Sequence, residues 1–309
     1  MRDTVIRTLT ELGKEDKDIE LITGDLGFGV LKNFWETLPD QFINAGIAEQ
    51  NMTGVAAGLA LEGKKVFTYS IGNFPTLRCL EQIRNDCAYH NANVNIICVG
   101  GGYVYGSLGM SHHATEDIAI LRALPDVTVI CPGDPNEAAL AVKKIANTKG
   151  TCYLRLGRGG EKTVNNIKEF EIGKAYKLRE LKELPKKVAI FSTGAILEET
   201  FLACNILEEL GIGVEQYSFP TVKPIDKEVI KDCANRFDDI FTVEEHNIVG
   251  GFGSAVAEVM AELDNKAKLH RIGINDFYCI EVGNQAYLRE QVGINANGIV
   301  EKVKGVLNE

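Results

Sequence analysis

The chain has 309 residues, 45% of them hydrophobic and 25% charged, with a formal net charge of −10. That is enough apolar chain for two α/β domains with separate cores, and the acidic balance excludes the broad positive field that gathers nucleic acid. No apolar run is long enough to span a bilayer and the N-terminus MRDTVIRTLTELGKEDKD reads as a mixed-charge amphipathic helix, so a cytoplasmic protein with neither nucleic-acid nor membrane partners is expected.

In chain order, short apolar runs alternate with amphipathic segments. Strands are predicted at Ile19–Thr23, Val66–Tyr69, Val94–Val99, Thr128–Cys131 and Cys152–Leu156, with helices at Ala48–Leu61, Thr76–His90, Thr115–Ala123 and Asn136–Ala146 between them. Such alternation argues for a parallel sheet covered on both faces, with ligands at the carboxyl ends of its strands. Charges dominate residues 157–187, around a short β-like segment near Phe170–Tyr176, which reads as a connection. A second alternation follows: strands Val188–Ser192, Val214–Ser218, Ile240–Val243 and Leu269–Ile274, with helices Leu197–Leu210, Lys227–Asn235, Ser254–Leu263 and Gly298–Leu307. The eight cysteines are scattered without a Cys-x-x-Cys pair, mostly in apolar runs, as reduced core cysteines are.

Six stretches carry chemistry. Phe42-Ile43-Asn44-Ala45-Gly46-Ile47-Ala48-Glu49-Gln50-Asn51 places one carboxylate among small and apolar residues at a helix start, where burial without a partner is costly. Thr23-Gly24-Asp25-Leu26 ends the first strand, and Tyr69-Ser70-Ile71-Gly72-Asn73-Phe74-Pro75-Thr76-Leu77-Arg78 leads off the second. Arg78 and Arg84 read as helix-surface or interface charges. Gly106-Ser107-Leu108-Gly109-Met110-Ser111-His112-His113 sets two histidines on a loop with no carboxylate or thiol at zinc-ligand spacing. Arg155-Leu156-Gly157-Arg158 ends a strand with two guanidinium groups, suited either to phosphate or to structural ion pairs. In the second half, Glu244-Glu245-His246-Asn247-Ile248-Val249-Gly250-Gly251-Phe252-Gly253-Ser254 is a glycine-rich strand-to-helix turn whose helix N-terminus suits an anion, although a tight packing turn explains it as well.

Together these words resemble the transketolase family of thiamine diphosphate enzymes, from Leu21 through the terminal helix. The resemblance is to the middle and C-terminal domains of a full transketolase, or to the smaller subunit of a split one. It implies two doubly wound α/β domains: a pyrimidine-binding thiamine diphosphate domain at 1–165, a linker at 166–186, and a transketolase C-terminal-like domain at 187–309. It also implies that Glu49 holds the cofactor's aminopyrimidine and promotes its conversion to the nucleophilic form. By the same likeness Asp25 lies near the cofactor across a subunit contact, and Phe74, with Tyr69 second, stacks on the aminopyrimidine. His112 becomes a substrate-facing acid/base, His113 replaces the usual Gln, and Arg158 meets the substrate phosphate. A His pair also occurs in 1-deoxyxylulose-5-phosphate synthases. Whether His246 or the turn Gly250–Gly253 reaches the site is left open.

Two departures matter. Leu108 stands where transketolases carry the Asp that accepts a bond from the donor sugar's hydroxyl, so ordinary ketose donors are in doubt and pyruvate, a deoxy sugar or an unusual ketose fits better. The family's Mg²⁺-diphosphate word, Gly-Asp-Gly followed by Asn, is not found in the sequence, which places the Mg²⁺ ligands on a partner. The expectation is therefore the pyrimidine-binding subunit of a split transketolase-like enzyme, joined to a diphosphate-binding, N-terminal-like subunit in an α₂β₂ heterotetramer. It would transfer a two-carbon ketol unit between sugar phosphates through a cofactor-bound enamine. The alternatives are a subunit that uses pyruvate, like 1-deoxyxylulose-5-phosphate synthase or a 2-oxo acid decarboxylase, and a catalytically silent scaffold.

Overall fold

A computed structural model describes residues 1–264 and 266–308. The chain opens with α1 (Arg2–Glu15), whose Val5, Ile6 and Leu9 recur at helical spacing and are buried. Then come β1 (Ile19–Thr23), α2 (Lys32–Thr37), β2 (Phe42–Asn44), α3 (Glu49–Leu61) and β3 (Lys65–Ile71). The short α4 (Leu80–Gln82), β4 (Val94–Val99), α5 (Asp117–Ala123), β5 (Val127–Ile130), α6 (Pro135–Ile145) and β6 (Thr151–Leu156) complete the first run. The first sheet has the order β2-β1-β3-β4-β6-β5 in parallel. Chain order reverses beside β1, so the carboxyl ends of β1, β2 and β3 surround a switch point where such sheets take ligands.

The second run begins at β7 (Tyr176–Arg179) and β8 (Lys186–Thr193), followed by α7 (Leu197–Glu209) and β9 (Ile212–Ser218). After β10 (Thr221–Lys223) come α8 (Lys227–Arg236), β11 (Asp239–Asn247), α9 (Phe252–Ala261), β12 (Lys268–Ile274), α10 (Gln285–Gln291) and α11 (Ala296–Leu307). Their sheet has the order β12-β11-β8-β9-β7, with only the edge strand β7 antiparallel. Two doubly wound α/β domains result, as the sequence predicts.

Several elements differ from the sequence expectation. The expected helix at Thr76–His90 is broken: a turn runs through Pro75, α4 lasts three residues, and Ile83–Ala88 is a π-helix. Pro75 supplies no backbone donor and holds the preceding residue out of helical conformation, and Thr76 Oγ1 bonds back to Gly72 O instead. Strand β2, helices α2 and α10, and β10 have no counterpart among the predicted elements, because each is too short to show a periodicity. In residues 166–186, Phe170 is buried in the first core and β7 joins the second sheet. Asp134 caps α6 and also accepts from the amides of Val164 and Asn165, so the outgoing chain is tied down.

Besides an apolar cluster centred on each sheet, a third cluster lies between the two sheets and draws on both. Phe219 lies 4.9 Å from Phe191 and 5.3 Å from Phe252 between ring centroids, and all three are fully buried with residues of the first domain such as Ile96 and Cys131. Strand β10 leaves the second domain and pairs antiparallel with β5, Thr221 opposite Ile130. All eight cysteines are buried and unpaired, and no helix among the described residues is long and apolar enough to cross a membrane.

A buried polar cluster completes the junction. Arg155 Nε donates to Asp117 Oδ2 at 2.7 Å, and its Nη2 donates to Ala114 O at 2.7 Å and, across the junction, to Glu245 O at 3.0 Å. Burial alone would raise the Asp117 carboxyl, but the facing Arg155 and His246 bring it below the usual range. His246 is wholly buried; its Nδ1–H donates to Asn247 O at 2.7 Å and its Nε2 accepts from the Ala119 amide at 3.3 Å. Burial pushes this imidazole down to about 4, against a partial counter-pull from Asp117. Between that value and the ordinary 6.5 the unfolded chain binds a proton that the folded chain refuses. The stability from neutral His246 is therefore complete above the upper value and lost as pH falls toward the lower, by on the order of 3 kcal/mol. Urea unfolding of wild type and His246→Asn across this window should give a shallower pH slope for the variant. Equal slopes would mean that His246 charges freely in the fold.

Candidate functional site

The site is built where β1, β2 and β3 end. Asn44, the last residue of β2, accepts from the amides of Asp25 and Gly46 at 3.0 Å each and donates to Asp25 Oδ1 at 3.0 Å. Asp25 adopts φ 57° in this turn, a conformation Asp tolerates. The clamp brings Gly24 against the first turn of α3, where a Cβ would lie 3.4 Å from Glu49 Cγ and from Gly46 O. Glu49 heads α3, where the helix dipole favours its negative charge, and it is 3% exposed.

The carboxylate of Glu49 is met by Arg78, whose Nη1 donates to Oε2 at 2.7 Å. The same guanidinium lies 4.5 Å from the centroid of the Phe74 ring. Phe74 is half-buried, and its ring meets that of His112 edge-on at 5.3 Å. His112 closes a 3₁₀ turn, Met110–His112, with Nδ1 3.0 Å from Ser111 Oγ. The loops are held together by Asn73 Nδ2 donating to His113 O, and by the packing of Gly72 on His112 O. Glu49, Arg78, Phe74 and His112 thus form one continuous cluster.

Other predicted residues fall at different depths. Tyr69 is 2% exposed and packed in the core with Phe34 and Phe67, so Phe74, half-buried, is the aromatic of the pair that reaches the surface. His113 is buried against Tyr103, ring centroids 5.0 Å apart, and burial lowers its pKa. Its Nε2 has no hydrogen-bond partner among the described residues. With Asn73, Met110, Glu116 and Cys279 it lines a cleft of 280 Å³. A larger cleft of 520 Å³, between Arg84–His90 and Pro125–Asp126, includes no member of the Glu49 cluster. Leu108 is 56% exposed on the turn Gly106–Leu108. Asp25 and Arg158 are exposed, and the Arg158 guanidinium stands 5.7 Å from the Tyr105 ring centroid.

The glycine-rich turn serves the chain itself. Glu244 accepts from the amides of Phe252 and Gly253 at 2.7 and 2.8 Å, so the helix N-terminus is already occupied by the chain's own carboxyl group. Burial pushes that carboxyl up to about 7. Gly251 is obligatory there, because a Cβ would lie 2.1 Å from Glu244 Oε2. His246 is sealed in the junction, and Arg155 is a structural ion pair rather than a free phosphate ligand. Sequence reading misses Asn44 and Asn73 as positioning residues and takes Arg78 for a surface or interface charge. No local pattern marks an asparagine that clamps two loops, and a charge three residues past a proline carries no sign of its partner.

Residues 1–160 match the family model described as the transketolase pyrimidine-binding domain, and residues 175–299 match the transketolase C-terminal domain. A Methanocaldococcus jannaschii protein described as a transketolase C-terminal section is 40% identical over 98% of this chain and 95% of its own length. One of the subunits of an apulose-4-phosphate transketolase from Phocaeicola vulgatus is 37% identical over 96% of this chain and 94% of its own. The solved structure of a split-gene transketolase, titled as an inactive β4 tetramer, superposes with a TM-score of 0.88 at 34% identity, covering 99% of this chain and 97% of that one.

Proposed function

The chain belongs to the transketolase family, and we propose that it is the pyrimidine-binding half of a split transketolase-like enzyme, completed by a diphosphate-binding subunit in an α₂β₂ assembly. One observation carries the reading. Glu49 is a buried carboxylate beside a half-open aromatic face, and the planar N–H donor Arg78 already touches both. A planar heterocycle with ring nitrogens could make the same two contacts, which fits the aminopyrimidine of thiamine diphosphate. The likeness to a split-gene chain whose β4 tetramer is titled inactive supports the need for a different partner. Mg²⁺ ligands are assigned to that partner, and the cytoplasm is the proposed compartment.

Thiamine diphosphate, when bound, supplies the carbon nucleophile that carries the two-carbon unit. Glu49 holds and shares a proton at the aminopyrimidine ring nitrogen, in a setting where burial prevents water from competing for it. Phe74 offers a ring face and fixes the plane of the heterocycle. His112, with Nδ1 engaged by Ser111, presents Nε2 to the substrate as hydrogen-bond donor or proton carrier. Asp25 lies at the rim near the cofactor, and exposed Arg158 suits a substrate phosphate. His113 contributes from below the surface, where its neutral ring can accept or donate one bond. Leu108 favours a donor lacking the hydroxyl that transketolases read, which keeps a pyruvate-using reaction as the second reading.

Isothermal titration with thiamine diphosphate and Mg²⁺ should show weak or no binding to this chain alone and saturable binding once the partner is added. Micromolar affinity without any partner would overturn the half-site reading. In the complete enzyme, Glu49→Gln should lower turnover by about two to four orders of magnitude while the fold persists, because the isosteric amide cannot share the proton. Retention of most activity would reduce Glu49 to a helix-start residue. For Leu108→Asp, the preference for xylulose 5-phosphate over a donor without the hydroxyl should rise by about 1–3 kcal/mol in relative kcat/KM. An unchanged ratio in two active proteins would place residue 108 away from the donor.

A further inference from the structure

Arg78 raises a question that the proposed chemistry does not answer. Its guanidinium donates to Glu49 Oε2 at 2.7 Å and lies 4.5 Å from the Phe74 ring centroid. Those are the two contacts that the reading above assigns to the aminopyrimidine. A guanidinium and a heterocycle cannot share one ring face and one carboxylate oxygen. We propose that Arg78 is an internal occupant of the aminopyrimidine position, which holds the Glu49 site closed in the free chain and is displaced when the cofactor enters.

The exposures of the two partners support an exchangeable contact. Glu49 is buried at 3% exposure, so its charge needs a partner at all times. The Arg78 side chain is 45% exposed and can swing into water with its charge hydrated. Its position follows from the local backbone: the Arg78 amide donates to Asn73 O in the turn after β3, which sets the side chain over Phe74, four residues earlier. Arg155, a second guanidinium paired to a buried carboxylate, is 4% exposed and locked by backbone carbonyls. Closure by Arg78 lowers the population of the binding-competent state, and apparent affinity falls by that fraction. A subunit that meets its cofactor only within an assembly would thereby keep its buried acid neutralised until the diphosphate is held next door.

The test uses full-length chain with 4-amino-5-hydroxymethyl-2-methylpyrimidine as probe, and separately the assembled enzyme with thiamine diphosphate and Mg²⁺. Arg78→Ala and Arg78→Gln should bind the pyrimidine about tenfold more tightly than wild type, and Glu49→Gln added to either should abolish the gain. In wild-type chain the Arg78 Nε–H resonance should be shifted upfield by the Phe74 ring. In the assembled enzyme it should move to the free-arginine position when thiamine diphosphate is added. Equal or weaker pyrimidine binding by both variants, binding undetectable in every protein, or an Arg78 resonance unmoved by bound cofactor would each overturn the proposal. If the assembled wild type binds no thiamine diphosphate, it is the cofactor reading itself that fails, which circular dichroism of the folded variants separates from loss of structure.

Discussion

A guanidinium and a carboxylate buried together, Arg155 and Asp117, fix where the loops around the candidate site lie. Both side chains are at most 4% exposed, and such a pair is tolerated when further hydrogen bonds take up its surplus donors and lone pairs. Here the surplus donors of Arg155 go to Ala114 O on the histidine-bearing loop and to Glu245 O in the second domain. Tyr153 adds its hydroxyl to Asp117. One cation therefore ties the end of β6, the loop after His113, and strand β11 into a single block. Removing one partner would leave an uncompensated buried charge, a loss of about 3–5 kcal/mol.

The same chemistry is used differently at Glu49. Arg78 and Glu49 form a contact as short as that between Arg155 and Asp117, yet the cation is half in solvent. An ion pair closed on all sides behaves as architecture, whereas one with an exposed partner can be exchanged for a better ligand. Burial rather than distance separates the two roles.

The second domain contributes order to the site from a distance. Its glycine-rich turn binds the chain's own Glu244, and its His246 is held neutral within the junction. Glu245 accepts from the Tyr103 amide and from Arg289, which anchors the loop after β4. The chemistry assigned to the first domain thus rests on loops that the second domain immobilises, and the antiparallel β10 makes the two inseparable.

What the sequence determined by itself was set by short-range physics. Alternating apolar runs gave β1, β4, β8 and α3 within a residue or two, because periodicity and strand burial are local properties. The words around Glu49, Phe74 and His112 identified the family and picked out three of the four members of the cluster. Only the tertiary structure decided the fourth. Arg78 lies 29 residues from Glu49 in the chain, and its pairing depends on a turn at Pro75 that replaces an expected helix. It likewise decided that Tyr69 and His113 lie in the interior, that Arg155 braces the junction, and that β10 crosses to the first sheet. Each of these depends on which residues meet across long sequence separations, where burial and charge pairing are settled by packing and leave no periodic trace in the chain.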